Sequence, residues 1–179
     1  QKTRKAAIIG AGHVGAYSAL VLAAQGLCDE IVLIDTNHPK ALAQAADLMD
    51  GVVHLSYCTN IYAGGYDQIG DADVVLICAG NRPYTGQPRS ELLKSNLAVV
   101  DEIIPPLKDS GFHGVVISVT NPCDIIARLL YEKLGLPAGQ IISSGTALDS
   151  ARLRKILADQ LGVDPRSVQG CVLGEHGES

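Results

Sequence analysis

Six residues, Gly10-Ala11-Gly12-His13-Val14-Gly15, stand between an aliphatic run, KAAIIG (5–10), and a helical pattern, HVGAYSALVLAAQG (13–26). A G-x-G-x-x-G turn in that setting leaves few folds open. The first glycine permits a tight turn. The second removes a Cβ where a pyrophosphate must approach the backbone, and the third lets helix and strand pack closely. The helix amino terminus then presents free N–H groups and a positive dipole end to phosphate. A second aliphatic run, IVLID (31–35), ends on Asp35, about 20 positions beyond the turn. A carboxylate there can accept both ribose hydroxyls and would repel a 2′-phosphate, so NAD is the expected cofactor. The expected contact set is Gly10, Gly12, His13, Val14, Gly15 and Asp35, joined by Gly80 and Asn121 from later loops. The competing reading is a glycine turn that serves packing alone.

The rest of the chain repeats the same grammar. Strand patterns fall at 60–64, 71–80, 113–120 and 140–143, and helical patterns at 39–50, 90–111, 121–135 and 145–162. Pro105-Pro106 should kink or end the third helix, and SVQGCVLGEHGES (167–179) reads as strand material running into a loop. Alternating strands and helices predict βαβ units and a parallel sheet. The fold class is therefore α/β, a Rossmann-type doubly wound sheet over 1–143. Residues 144–179 are expected to begin an α+β substrate domain that is incomplete here. Parallel sheets bind ligands at the carboxyl ends of their strands, which directs attention to the loops that follow them.

Composition narrows the function classes. The 179 residues are 47% apolar and 18% charged, with 4% aromatics and a net charge of −5. Without a Lys/Arg cluster there is no electrostatic footprint for nucleic acid. The stretch AYSALVLAAQGL (16–27) is too short and polar to span a bilayer, and QKTRKAAIIG lacks the apolar length and cleavage motif of a signal peptide. Five scattered cysteines without C-x-x-C argue for free thiols, not a disulfide framework or zinc site. No metal site is expected, and the compartment implied is cytoplasmic.

The final helical pattern carries Leu153, Ile156, Leu157 and Leu161 on one face. At about 100° per residue, Asp149 falls inside that sector and Arg152 at its edge. Buried charges need partners, and an intrahelical ion pair is the bland alternative. His176, in a glycine-rich loop downstream, is the candidate partner. A carboxylate on one ring nitrogen would fix its tautomer, leaving the other to give or take a proton. His38, His54 and His113 read as exposed or structural, and His13 lies in the phosphate turn. Arg82 and Arg89 flank a Pro/Gly-rich loop suited to closing over an anion, although surface arginines are common. Asn121, before Pro122, can bond substrate or ribose, or simply cap a helix.

The stretches IIGAGHVG (8–15), LID (33–35), ICAGNRPYTGQPRSELLKSN (77–96), VTNPCD (119–124), SGTALDSARLR (144–154) and LGEHGES (173–179) span the chain in order. With them the sequence resembles the NAD-dependent lactate/malate dehydrogenases of the L-2-hydroxyacid dehydrogenase group. The resemblance implies that His176 donates a proton to the substrate carbonyl, that Asp149 orients it and that Arg89 polarises the ketone. It implies that Arg152 grips the substrate carboxylate and that Asn121 holds the reacting centre. Family members are longer than this chain and form homo-oligomers, dimers or tetramers, so the chain is expected to be the first part of such a protein. In the family, the position six residues before the arginine matching Arg89 is Arg in malate enzymes and Gln in lactate enzymes. Here it is Pro83, preceded by Arg82. An uncharged lining favours a small 2-keto or 2-hydroxy monocarboxylic acid, pyruvate or a bulkier analogue, with malate as the alternative. Two readings from other classes are a metal-requiring NAD-dependent glycoside hydrolase, with Cys123 and His176 as imagined ligands, and a non-catalytic NAD-binding module.

Overall fold

The computed structural model describes residues 2–81, 89–174 and 176. Six strands, β1 (Lys5–Ile9), β2 (Glu30–Ile34), β3 (Asn60–Ala63), β4 (Val74–Ile77), β5 (Val115–Ser118) and β6 (Ile141–Ser143), make one sheet in the order β3-β2-β1-β4-β5-β6. Every pairing is parallel. The helices are α1 (His13–Ala24), α2 (His38–Val52), α3 (Arg89–Asp109), α4 (Cys123–Leu134) and α5 (Ala147–Leu161). Strand order reverses direction between β1 and β4, which is where a doubly wound sheet opens its ligand crevice. Ile9 pairs with both Ile34 and Ile77, and Ser118 pairs with Ile77 and Ser143. This register brings the loops after β1, β2, β4, β5 and β6 out along one edge.

Both faces of the central strands β1 and β2 are buried, so these read as aliphatic runs, whereas β4 and β5 bury one face fully and the other in part, and the edge strand β6 leaves Ile142 exposed. Ala7, Ile9, Val32, Ile34, Val75 and Ile77 pack with Val100, Ile103, Leu107, Ile126 and Leu130 from α3 and α4. Ala6, Ile8, Ile31 and Leu33 pack with α1 and α2 on the other side. α1 turns only Gly15, Ala19 and Ala23 fully inward, and these small residues let it lie close on β1. Each buried Ile or Leu stabilises the fold by about 1.5–3 kcal/mol relative to exposure.

Three sequence expectations need correction. α3 does not stop at Pro105-Pro106 but continues to Asp109. Each proline removes its N–H and crowds the carbonyl four residues back, but Ile103, Ile104 and Leu107 hold this turn on the core. Downstream of α5, residues 168–174 form no strand. Their backbone is satisfied by α5 side chains instead: Thr146 Oγ1 donates to the Val172 carbonyl, Val172 N–H donates to Ser150 Oγ (3.0 Å), and Arg154 Nε donates to the Gly170 carbonyl (2.8 Å). Finally, the apolar sector of α5 is not a buried stripe, since Ile156 and Leu161 are 55% and 68% exposed. α5 follows the edge strand β6, buries only Ser150 and Ala158, and packs chiefly against the short turn at Pro165–Ser167 with no broad contact to the sheet among the described residues.

Candidate active site

The glycine turn separates two kinds of requirement. At Gly10 φ is +103°, and an added Cβ would come within 2.5 Å of the Ala79 backbone nitrogen. At Gly15 it would fall on the Gly10 carbonyl oxygen. Both positions need glycine so that the chain can pack on itself. Gly12 has ordinary extended backbone, φ −79° and ψ −171°, and no atom within 4 Å of a built Cβ. Nothing in the protein excludes a side chain there, so the space is available to a ligand approaching the backbone. Gly12 also caps α1 without a side-chain hydrogen bond, leaving the helix amino terminus to an external anion. These features fit a dinucleotide pyrophosphate.

Asp35 follows β2 beside this turn. Its Oδ2 accepts from Ala11 N–H (2.9 Å) and Lys40 Nζ (3.1 Å), and Oδ1 accepts from Asn37 N–H (2.9 Å). Burial raises the carboxyl pKa, but the bonds from Asn37, Lys40 and Ala11 outweigh it and hold Asp35 below the usual carboxylate value. A carboxylate has about four lone-pair positions, and three are engaged. Asp35 therefore does not offer two free oxygens to two ribose hydroxyls, as its sequence position alone suggested.

Across the crevice, the loops after β4 and β5 are joined by a residue the sequence reading passed over. Asn96, 3% exposed on α3, accepts from Asn81 N–H through Oδ1 (2.8 Å) and donates through Nδ2 to the Asn121 carbonyl (2.8 Å). Thr120 Oγ1 ties the same loops by donating to the Ala79 carbonyl (2.7 Å). A Cβ on Gly80 would meet Thr120 Cγ2 at 3.1 Å, so this loop junction is close-packed. The signal for Asn96 was an amide four residues before Val100 on the apolar face of α3. The peptide bond between Asn121 and Pro122 is cis. The Asn121 side chain is fixed from behind, because the Cys123 thiol donates to its Oδ1 (3.2 Å).

The third component is carried by α5. Asp149 and His176 lie 27 residues apart in sequence, yet His176 Nδ1 meets Asp149 Oδ2 at 2.6 Å. An ionised carboxylate can only accept, so Nδ1 carries the hydrogen and Nε2 is left for proton exchange. Hydrogen bonding from His176 is the main cause holding the Asp149 carboxyl below its ordinary value, with the charges of His176 and Arg152 adding to it against burial. Arg152 Nη1 stands 4.0 Å from Asp149 Oδ1, and its side chain is 64% exposed. The guanidinium thus remains largely open to a second anion. The Asp149 end of α5 is set at the carboxyl edge of the sheet, because Ser144 N–H bonds the Ser118 carbonyl (2.9 Å) and Ser143 Oγ donates to Asp124 (2.7 Å).

Arg89 begins α3, but its side chain lies outside the described residues, as do Arg82 and Pro83. His13 and Val14 open α1 and are exposed; with Tyr17, Val21 and Leu76 they line an apolar concavity of about 540 Å³ that contains none of Asp149, Arg152 or His176. His38, His54 and His113 are exposed, and no disulfide joins the five cysteines. Among the described residues no group of three or more His, Cys, Asp or Glu side chains is arranged to hold a metal ion.

Residues 4–143 match the family profile described as lactate/malate dehydrogenase, NAD binding domain, and residues 146–179 match that of the lactate/malate dehydrogenase alpha/beta C-terminal domain. The chain is 42% identical to L-lactate dehydrogenase 3 of Bacillus cereus over 179 residues, covering 100% of this chain and 57% of that protein. The ligand-bound crystal structure of the minor L-lactate dehydrogenase from Enterococcus mundtii superposes with a TM-score of 0.95 at 40% identity, over 99% of this chain and 57% of that one. Lactate dehydrogenase from Cryptosporidium parvum, solved with lactic acid and nicotinamide adenine dinucleotide, superposes with a TM-score of 0.90 at 29% identity, over 99% and 56%. The chain thus spans little more than half the length of these relatives.

Proposed function

The chain belongs to the lactate/malate dehydrogenase family, and on that premise we propose that the protein interconverts a 2-keto monocarboxylic acid and the corresponding L-2-hydroxy acid. The observation that carries this reading is the 2.6 Å His176–Asp149 pair, with Arg152 one helical turn on, at the margin of an NAD-binding sheet. NADH, when bound, supplies the hydride. His176, held through Nδ1 by Asp149, releases a proton from Nε2 to the substrate oxygen and takes it back in the reverse direction. Arg152 grips the substrate carboxylate, a planar fork meeting a planar anion. Arg89 polarises the carbonyl and Arg82 contributes to the substrate pocket. Asn121 donates its amide to the reacting group or to the cofactor.

We place the division between an NAD-binding part and the start of a substrate domain at 143/144, a placement supported by the matched ranges 4–143 and 146–179. Homo-oligomeric assembly and a cytoplasmic site of action belong to the same reading. Among the described residues no helix is long and apolar enough to cross a membrane.

The test is the whole protein and its His176→Gln variant, assayed for NADH oxidation with pyruvate, 2-ketoisocaproate and oxaloacetate. A monocarboxylate should be the better substrate. The variant should lose about 10²-fold or more in kcat while still binding NADH. Preferred turnover of oxaloacetate would assign malate instead, and an active variant would remove His176 from proton transfer.

A further inference from the structure

Cofactor selection at the end of β2 is commonly reduced to one carboxylate, but here the carboxylate is paired. Lys40, in the first turn of α2, places Nζ 3.1 Å from Asp35 Oδ2, on an oxygen that already accepts from Ala11 N–H at 2.9 Å. The Asn37 N–H occupies one position of the other oxygen at 2.9 Å. A ribose diol bonding Asp35 in a bidentate manner must therefore displace Lys40, whereas the two backbone bonds are built into the loops. Displacement is easy, because the Lys40 side chain is 44% exposed and on a flexible stem, against 13% for Asp35. Once moved, the ammonium stays tethered to the first turn of α2, next to the Asp35 oxygens that would meet the ribose 2′ hydroxyl. That is the position where a 2′-phosphate, if present, would need a cation.

We propose that Lys40 offsets Asp35 at the 2′ position, so that the pair, not the carboxylate alone, sets the discrimination between NADH and NADPH. The proposal rests on the reading of Asp35 as the ribose contact. It says that Asp35 repels a 2′-phosphate while Lys40 recovers part of the loss, and that NADPH binds measurably at low ionic strength. Charge-assisted contacts to phosphate are the strong class of hydrogen bond, and a semi-exposed one is screened by salt.

The experiment is fluorescence titration of the protein with NADH and NADPH, at low and at physiological ionic strength. Three variants accompany it: Lys40→Met, Lys40→Arg and Asp35→Asn. In Lys40→Met the NADPH/NADH ratio of dissociation constants should rise about tenfold at low salt, and by less at physiological salt. Lys40→Arg should keep the original ratio within about twofold. An unchanged or lowered ratio in Lys40→Met overturns the proposal, since Lys40 is exposed and its loss leaves the fold intact. Asp35→Asn separates this failure from that of the underlying reading. If it lowers the ratio while Lys40→Met does nothing, only the role of Lys40 falls. If it leaves the ratio unchanged, Asp35 itself is not the ribose contact.

Discussion

Two glycines of one turn should fail in opposite ways when given a methyl group. Gly10→Ala forces a left-handed φ of +103° on an L-residue and drives Cβ to 2.5 Å from Ala79 N, in backbone that cannot swing aside. The conformational strain costs about 1–3 kcal/mol, and overpacking adds about 1–3 kcal/mol more. For a chain of this size, about 4 kcal/mol together lowers Tm by about 8–16 °C. Gly12→Ala meets no atom within 4 Å and needs no unusual backbone angle. Restricting the unfolded chain favours alanine by about 0.4–1 kcal/mol, and losing glycine at an N-cap costs a similar amount. Its Tm should therefore stay within about 3 °C of the parent. Its NADH affinity should fall about 10- to 100-fold, because the new methyl stands where phosphate approaches the helix end, and each charge-assisted bond lost is worth about 1.5–3 kcal/mol. Differential scanning calorimetry and fluorescence titration read the two effects separately. If Gly12→Ala melted as early as Gly10→Ala and still bound NADH normally, the open space at Gly12 would have no connection with the cofactor.

Asp149→Asn replaces an accept-only carboxylate by an uncharged amide that can donate as well as accept, so the His176 tautomer is no longer fixed, and kcat in the whole protein should fall about 10²-fold or more with NADH affinity unchanged. Because the Asp149 carboxyl is held below its ordinary value of 3.8, its pairing stabilises the fold above that pH and is lost as pH drops through the folded-state value. The Tm gap between parent and variant should therefore be full at neutral pH and close under acid; a gap independent of pH would contradict the assignment. Asn96→Leu orphans the Asn81 N–H and the Asn121 carbonyl. Each orphan costs about 1–3 kcal/mol, so Tm should fall by at least about 4 °C and NADH should bind more weakly; unchanged binding would detach Asn96 from the crevice.

The order of strands and helices, and the edge at which their loops gather, was legible because aliphatic runs and a glycine turn are local signals. Asp149 and His176 were legible as candidates because each is a polar group in a conspicuous place, an apolar sector and a bare glycine frame. Legibility failed where partners come from afar or where satisfaction is indirect. Asn96 shows only an amide on a helix, and its two bonds reach loops 15 and 25 residues away. The absence of a strand after Val168 depends on Thr146, Ser150 and Arg154 taking over its backbone groups, which no period-2 pattern reveals. The exposure of Ile156 and Leu161 follows from α5 packing chiefly against the turn at Pro165–Ser167 and not across the sheet, which the helix's own periodicity does not reveal. Lys40 lies five residues from Asp35, but only the bend between β2 and α2 turns that short separation into an ion pair.

The segment carrying His176 is moored to α5 at Gly170 and Val172, and the residue that orients His176 projects from the first turn of that helix. The imidazole and its carboxylate partner therefore ride on one mechanical part. A small tilt of α5 would carry both, altering how far Nε2 reaches while leaving the Nδ1–Oδ2 separation as it was. Substitutions at the base of α5 should therefore move His176 and Asp149 together and change how far Nε2 reaches, whereas those at Asp149 or His176 break the Nδ1–Oδ2 contact itself.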